Sequence, residues 1–171
     1  MFKVGDVVVH PRYGIAIIEK MRTIGKKRYF CLRLDRDNDK SIVMIPEDGI
    51  DGAGLRTKLL SAAVIQGVMA QEPGGLGEDA HPRQKLIAST MQNNDPHVLV
   101  GLLRDLCWLE TEKKLSQGEA KARKHLLSIL ENELSISQNI DSTSAQEKLQ
   151  AIIDDAIETH QGEVIAPTAD V

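Results

Sequence analysis

The sequence is poor in aromatics: one Trp, two Tyr and two Phe make up 3% of its 171 residues. Any core must therefore be built from Leu, Ile, Val and Ala, a palette that favours packed helices over a large sandwich. Cysteine is also scarce. Cys31 and Cys107 lie far apart, each in an apolar segment, so no disulfide framework is implied and both read as buried reduced thiols. No apolar run approaches the roughly eighteen residues of a membrane span. The opening Met1-Phe2-Lys3-Val4-Gly5-Asp6 lacks the apolar stretch of a signal peptide, so the expected location is the cytoplasm, away from any membrane. Six Pro and thirteen Gly exclude a collagen-like repeat, and 42% hydrophobic with 27% charged residues excludes a disordered chain. The length admits one domain or two small ones, too little for a barrel enzyme or a motor core.

Charge is distributed unevenly. The net charge of −4 conceals eight Lys/Arg against two acids in residues 1–33, and one Lys against nine acids in residues 131–171. Exposed charges more than about 10 Å apart are largely screened at physiological salt, so an anionic partner is expected at the front or the middle. The last residues, 161–171, read as a disordered acidic tail.

Residues 6–46 alternate short apolar, β-branched runs with turn chemistry. Val7-Val8-Val9, Ile15-Ala16-Ile17-Ile18, Tyr29-Phe30-Cys31-Leu32 and Ile42-Val43-Met44-Ile45 read as strands. The Gly- and Asp-bearing segments at 11–14, 23–27 and 35–39 read as their turns. Four or five short antiparallel strands in about fifty residues predict a small Tudor/SH3-like barrel, a common binding platform.

The period then changes. Leu55, Leu59, Leu60, Val64, Ile65 and Val68 recur at helical spacing and predict a helix over about 55–71. Glu72-Pro73-Gly74-Gly75-Leu76-Gly77-Glu78 reads as a mobile linker or hinge. A short helix is expected over Pro82 to Asn93. Asp95-Pro96 opens the next, with Leu99, Leu102, Leu103 and Leu106 along one stripe. Ser116-Gln117-Gly118-Glu119 and Ser144-Ala145-Gln146-Glu147 each read as a capping box ahead of an apolar helix. The fold class expected is α+β: an N-terminal antiparallel β-barrel over 1–54 followed by an all-α domain over 55–160.

Catalytic chemistry finds little support. There is no nucleophile elbow, no phosphate-cradling Gly-rich loop and no histidine pair at ligand spacing, so neither enzyme, metal nor cofactor is expected. Cys107 could in principle pair with His97 or His125, but its apolar helical setting argues for an inert thiol. Cations are the better lead. Arg22, Lys26, Lys27 and Arg28 surround a hairpin turn, where the alternatives are a solvated tip and a partner contact. Arg83 and Lys85 begin one helix and Lys121, Arg123 and Lys124 follow the Ser116 cap; near helix starts they oppose the dipole unless an anion such as phosphate compensates. So few cations imply weak, salt-dependent binding to isolated DNA.

These residues resemble a known family, the CarD/CdnL-like bacterial transcription regulators. Phe2-Lys3-Val4-Gly5-Asp6-Val7-Val8-Val9-His10-Pro11 followed by Gly14 is similar to its FKxGDxVVYP opening, with His10 in place of the usual Tyr. Val43-Met44-Ile45-Pro46, Gly54-Leu55-Arg56, Leu103-Arg104-Asp105-Leu106, Leu115-Ser116-Gln117-Gly118-Glu119 and Glu133-Leu134 resemble further family motifs in the same order, over roughly residues 2–135. The resemblance implies an N-terminal domain shared with transcription-repair coupling factors that docks on the RNA polymerase β subunit. It also implies a helical domain that touches promoter DNA at the upstream edge of the melting bubble. The polymerase face implied is Arg22, Lys26, Lys27, Met44, Ile45 and Pro46; for Met44 ordinary sheet packing is the alternative. The DNA face implied is Ala80, His81, Arg83, Lys85, Lys121, Arg123 and Lys124, in a protein expected to act as a monomer. Ala80 stands where the family carries a Trp that wedges into the minor groove, and Trp108 reads as packing. The competing functions are an interaction adaptor without DNA contact and a small thiol enzyme built on Cys107.

Overall fold

The computed structural model describes residues 2–34 and 41–165. It has the α+β order expected: β1 (Val7–His10), β2 (Gly14–Ile24), β3 (Lys27–Leu34) and β4 (Ile42–Pro46), two 3-10 turns, then α1 (Ala62–Met69), α2 (Ala80–Asn93), α3 (Pro96–Glu112), α4 (Gln117–Gln138) and α5 (Ser142–Ile165). The turn expected at 35–39 lies outside the described residues. The chain divides into two compact units. One holds the residues up to Leu59 together with Ala88–Asp95; the other holds Leu60–Ile87 and the residues from Pro96 onward.

The sheet is antiparallel in the order β1-β2-β3-β4. No pairing joins β1 to β4 among the described residues, so the expected Tudor/SH3-like barrel is present as an open four-stranded sheet. β2 and β3 run longer than their apolar periodicity suggests. Their register shifts between Ile18 and Lys20, leaving Glu19 as a bulge, and pairing then continues to Ile24 opposite Lys27. Gly25 supplies the positive φ, 62°, that this two-residue hairpin turn requires. The bulge keeps Ile18 and Met21 on the same face despite their odd spacing. Val8, Ala16, Ile18, Phe30, Leu32 and Ile45 form the core of that face, with Met21 packed against them.

His10 closes the β1–β2 turn. Its Nδ1 accepts from the amides of Arg12 (3.0 Å) and Tyr13 (3.3 Å), which requires that nitrogen unprotonated. Burial and the neighbouring Arg12 charge lower its pKa below the ordinary histidine value. Asn94, just past the end of α2, sits in the left-handed region at φ 55° and is buried. Its Nδ2 donates to the carbonyls of Val9 (2.9 Å) and Gly54 (2.8 Å), and its own carbonyl accepts from Arg56 Nε at 3.0 Å.

In the second unit α1 is shorter than expected. Leu55, Leu59 and Leu60 precede it in non-helical chain, and the helix starts only after Ser61, whose hydroxyl accepts from the Val64 amide. α2 begins at Ala80, two residues earlier than expected. The Ser116 capping box is present with both reciprocal bonds. For α5 the cap lies upstream of the expected Ser144: Asp141 accepts from the Ser144 amide (2.9 Å) and hydroxyl (2.7 Å), and these bonds hold its carboxyl below the usual value. α5 continues to Ile165, so the first residues of the expected tail, 161–165, are helical; the remainder lies outside the described residues. Leu103, Leu106, Leu126, Leu130, Leu149 and Ile153 are fully enclosed in the helical core.

Replacing Asn94 by Ala removes two hydrogen bonds from buried carbonyls and places a Cβ-bearing apolar residue at positive φ. Denaturation of the Asn94→Ala variant is expected to show a loss of about 2–4 kcal/mol, and Asn94→Gly, which relieves only the backbone term, a smaller loss. Equal stability of wild type and Asn94→Ala would contradict the role given to this side chain.

Candidate functional site

The sheet's second face is built by strand alternation and register. Lys20 pairs with Cys31 and Cys31 with Met44; Arg22 pairs with Tyr29 and Tyr29 with Pro46; Arg33 pairs with Ile17 and Ile42. Side chains at these positions project away from the Val8–Phe30 core. Ile24, at the hairpin end of β2, and Val7, on β1, are exposed on this face, and Met44 (45% exposed) and Ile42, neighbours on β4, form a short apolar strip. Lys20, Arg22 and Lys27 are exposed cations on the same face, and Arg33 is half-buried. Of the six residues expected to grip polymerase, Arg22, Lys27, Met44 and Pro46 thus share one face, and Lys26 stands in the adjoining turn. Ile45 does not join them: at 8% exposed it belongs to the core on the opposite face, because neighbouring strand residues point opposite ways. Arg28, also on that opposite side, is exposed and pairs with Glu47 at 3.4 Å.

In the helical unit the expected DNA residues divide. Arg83 is 5% exposed and cannot offer its charge to phosphate. Its Nε is ion-paired with Glu119, and its Nη1 donates to the carbonyls of Gly77 (2.7 Å) and Glu78 (3.1 Å). Glu119 is the reciprocal member of the capping box, accepting from the Ser116 amide at 2.8 Å. Burial opposes its charge, yet the bonds from Ser116 and Arg83 outweigh that cost and hold the carboxyl below the ordinary value of 4.5. Arg123 is partly exposed; its Nε lies 3.1 Å from the half-exposed Glu110 carboxylate, and it touches the Cys107 thiol. That thiol is buried, and burial pushes its pKa up despite the Arg123 charge, which describes an inert sulfur.

Ala80, His81, Lys85, Lys121 and Lys124 are exposed. The Arg83–Glu119 pair brings the starts of α2 and α4 together, and Gln84 approaches within 4.0 Å of the position a Gly118 side chain would take. His81, Gln84 and Lys85 share a side of α2 by helical spacing, and Gly118, Lys121 and Lys124 share a side of α4. The result is a narrow cationic edge, tempered by the exposed Glu78 and Asp79 just ahead of α2. Trp108 packs edge-on against buried His160, with ring centroids 6.1 Å apart. Among the described residues no cluster of ligands could hold a metal ion, and no helix is long and apolar enough to cross a membrane.

Sequence reasoning missed Asn94, although an Asn directly before Asp-Pro is a helix-end signal, and met Arg56 only as part of a family motif. It found Glu119 as a cap without foreseeing the buried Arg83 partner.

A small antiparallel sheet with an exposed apolar face, joined to a helical bundle with a cationic edge, defines a two-part binding protein. Its sequence matches the CarD-like/TRCF RID domain over residues 2–57 and the CarD C-terminal domain over residues 65–150. The chain belongs to this CarD-like family of transcription regulators, whose RID module is an RNA polymerase-interacting domain. It is similar to a Bacillus subtilis (strain 168) protein named "Putative transcription factor YdeB", at 25% identity over 146 residues, covering 82% of this chain and 94% of that one.

Two outcomes test the anchor. Arg83→Met strands a buried carboxylate and is expected to cost about 3–5 kcal/mol in denaturant unfolding. Adding Glu119→Gln, which retains capping, should recover part of that loss; strictly additive losses would contradict the pairing. Because the folded Glu119 carboxyl titrates below its unfolded value, its stabilisation is complete above about pH 4.5 and is lost as pH falls through the folded pKa. Wild type should therefore lose stability more steeply than Glu119→Gln below that pH, and identical profiles would count against it.

Proposed function

We propose that this chain regulates transcription by gripping the β subunit of RNA polymerase with the outward sheet face and presenting the basic edge of its helical unit to promoter DNA near the upstream edge of the bubble, thereby modulating open-complex stability. The observation that carries the reading is the sheet face itself: Ile42 and Met44 stay exposed side by side on β4, on the face that also carries Ile24, Lys20, Arg22 and Lys27. Apolar side chains held in water beside cations are the composition of a protein-binding patch, and the partner surface it suits has an apolar centre and acidic borders. The grip is Arg22, Lys26, Lys27, Met44 and Pro46, with Ile45 supporting the strand from beneath.

The DNA contact is assigned to His81, Lys85, Lys121 and Lys124, with Ala80 at the position nearest the duplex. These few charges bind duplex weakly alone. Tethering to polymerase supplies the effective concentration they lack, and any preference for distorted over closed DNA then shifts the population toward the open complex. The protein acts as a monomer in the cytoplasm and needs no cofactor.

A second reading, an adaptor that never touches DNA, draws support from the burial of Arg83 against Glu119, which removes one of the expected cations from the edge, and from the surface pair of Arg123 with Glu110, which engages another.

Wild type should co-purify with RNA polymerase, and Met44→Asp or Lys27→Glu should weaken that association about tenfold or more, the loss expected when a charge is buried or reversed at the centre or rim of a patch. Undiminished association of Met44→Asp would show that the face is wrongly assigned. Footprints of a polymerase–promoter complex with and without the chain separate the two readings: altered protection at the bubble edge supports DNA contact, and an unchanged pattern leaves the adaptor.

A further inference from the structure

Neither the sheet face nor the basic edge uses the Leu103-Arg104-Asp105-Leu106 motif. Arg104 and Asp105 lie on α3 with side chains 11% and 14% exposed. The Arg104 guanidinium holds Asp105 Oδ1 through Nε (2.9 Å) and Nη2 (2.8 Å), and its Nη1 donates to the Val68 carbonyl in the last turn of α1. The same Oδ1 accepts the Gly74 amide at 3.0 Å. A Cβ on Gly74 would lie 3.4 Å from Asp105 Oδ2 and 3.6 Å from Arg104 Nη2, so the chain crosses the pair in close contact. Beyond it Leu76 is buried and the carbonyls of Gly77 and Glu78 accept from Arg83. A segment with the composition of a hinge is thus fastened at both ends.

We infer that Asp105, oriented by Arg104, is a positioning residue for the start of α2. Arg83 ties the first turn of that helix to Glu119 of α4 and to the Gly77 and Glu78 carbonyls. The Gly74 clamp adds a second point, so the short run from Gly75 to Asp79 delivers Ala80, His81 and Lys85 to one place beside Lys121. A contact made by so few cations gains little from each and cannot also bear the entropy of ordering a free loop. The inference rests on the DNA contact proposed above.

The full-length chain tests it through amide hydrogen exchange at Gly74 to Gly77, bubble-edge protection in a polymerase–promoter complex, and polymerase association as control. Asp105→Ala should exchange about tenfold or more faster at Gly74, as loss of one charge-assisted hydrogen bond implies, and should weaken protection by a similar factor with polymerase association intact. Asp105→Asn keeps an oxygen for the Gly74 amide and should restore most of both signals. Unchanged exchange in Asp105→Ala overturns the clamp, and faster exchange with undiminished protection overturns the positioning role. Absence of protection by wild type overturns the DNA reading itself, and with it any role for Asp105 in placing that edge.

Discussion

The helical unit depends on how it shelters one charge. Taking a guanidinium and a carboxylate out of water costs several kcal/mol per ion, by general estimates, unless every donor and lone pair finds a partner. Arg83 Nε and Nη1 and the Glu119 carboxylate are answered by each other, by the Gly77 and Glu78 carbonyls and by the Ser116 amide. Such a pair adds little stability over a hydrophobic alternative, but it fixes geometry. Here the fit simultaneously caps α4, ends the preceding loop and sets α2 beside α4. Two other acids follow the same pattern. Asp105 takes the Gly74 amide, and fully buried Glu133 takes the Leu60 amide at 3.0 Å ahead of α1. Each holds the backbone of a connecting segment against a helix.

This arrangement explains how the charged residues divide their work. Arg83 and Arg104, with forked guanidinium groups, turn inward to carboxylates and Arg123 pairs with Glu110 at the surface, whereas Lys85, Lys121 and Lys124 remain outside. Arginine suits fixed bidentate partners and lysine remains a hydrated point charge, so the identity of the cation separates scaffold from surface. In the sheet unit a different constraint divides the residues. Strand alternation assigns Phe30 and Ile45 to the core and Met44 and Pro46 to the outer face.

Much of the architecture was legible because it follows from local periodicity. The switch from β-branched alternation to helical spacing, the Ser116 capping box and the Asp-Pro start of α3 all mark elements that exist. The misreadings arise where one residue breaks the period or where partners are distant in sequence. The Glu19 bulge disguised the length of β2, and Leu55, Leu59 and Leu60 imitate a helical stripe while lying outside any helix. Ser144 drew attention from Asp141, since both can begin a capping pattern. The glycine-rich 72–78 segment reads as a hinge from composition alone, because its anchors, Asp105 and Arg83, are supplied by other elements. For the same reason Arg83 looked like a phosphate ligand. Burial of a charge is decided by tertiary partners that spacing along one helix does not reveal.

The central claim, that the outward sheet face meets polymerase while the helical edge meets DNA, is tested most directly by hydrogen exchange on the full-length chain in three states: alone, with polymerase, and with polymerase on a promoter. Protection is expected over β2 to β4 on adding polymerase, and at the starts of α2 and α4 only when promoter DNA is also present. Protection confined to other surfaces, or none on mixing with polymerase, would contradict the claim.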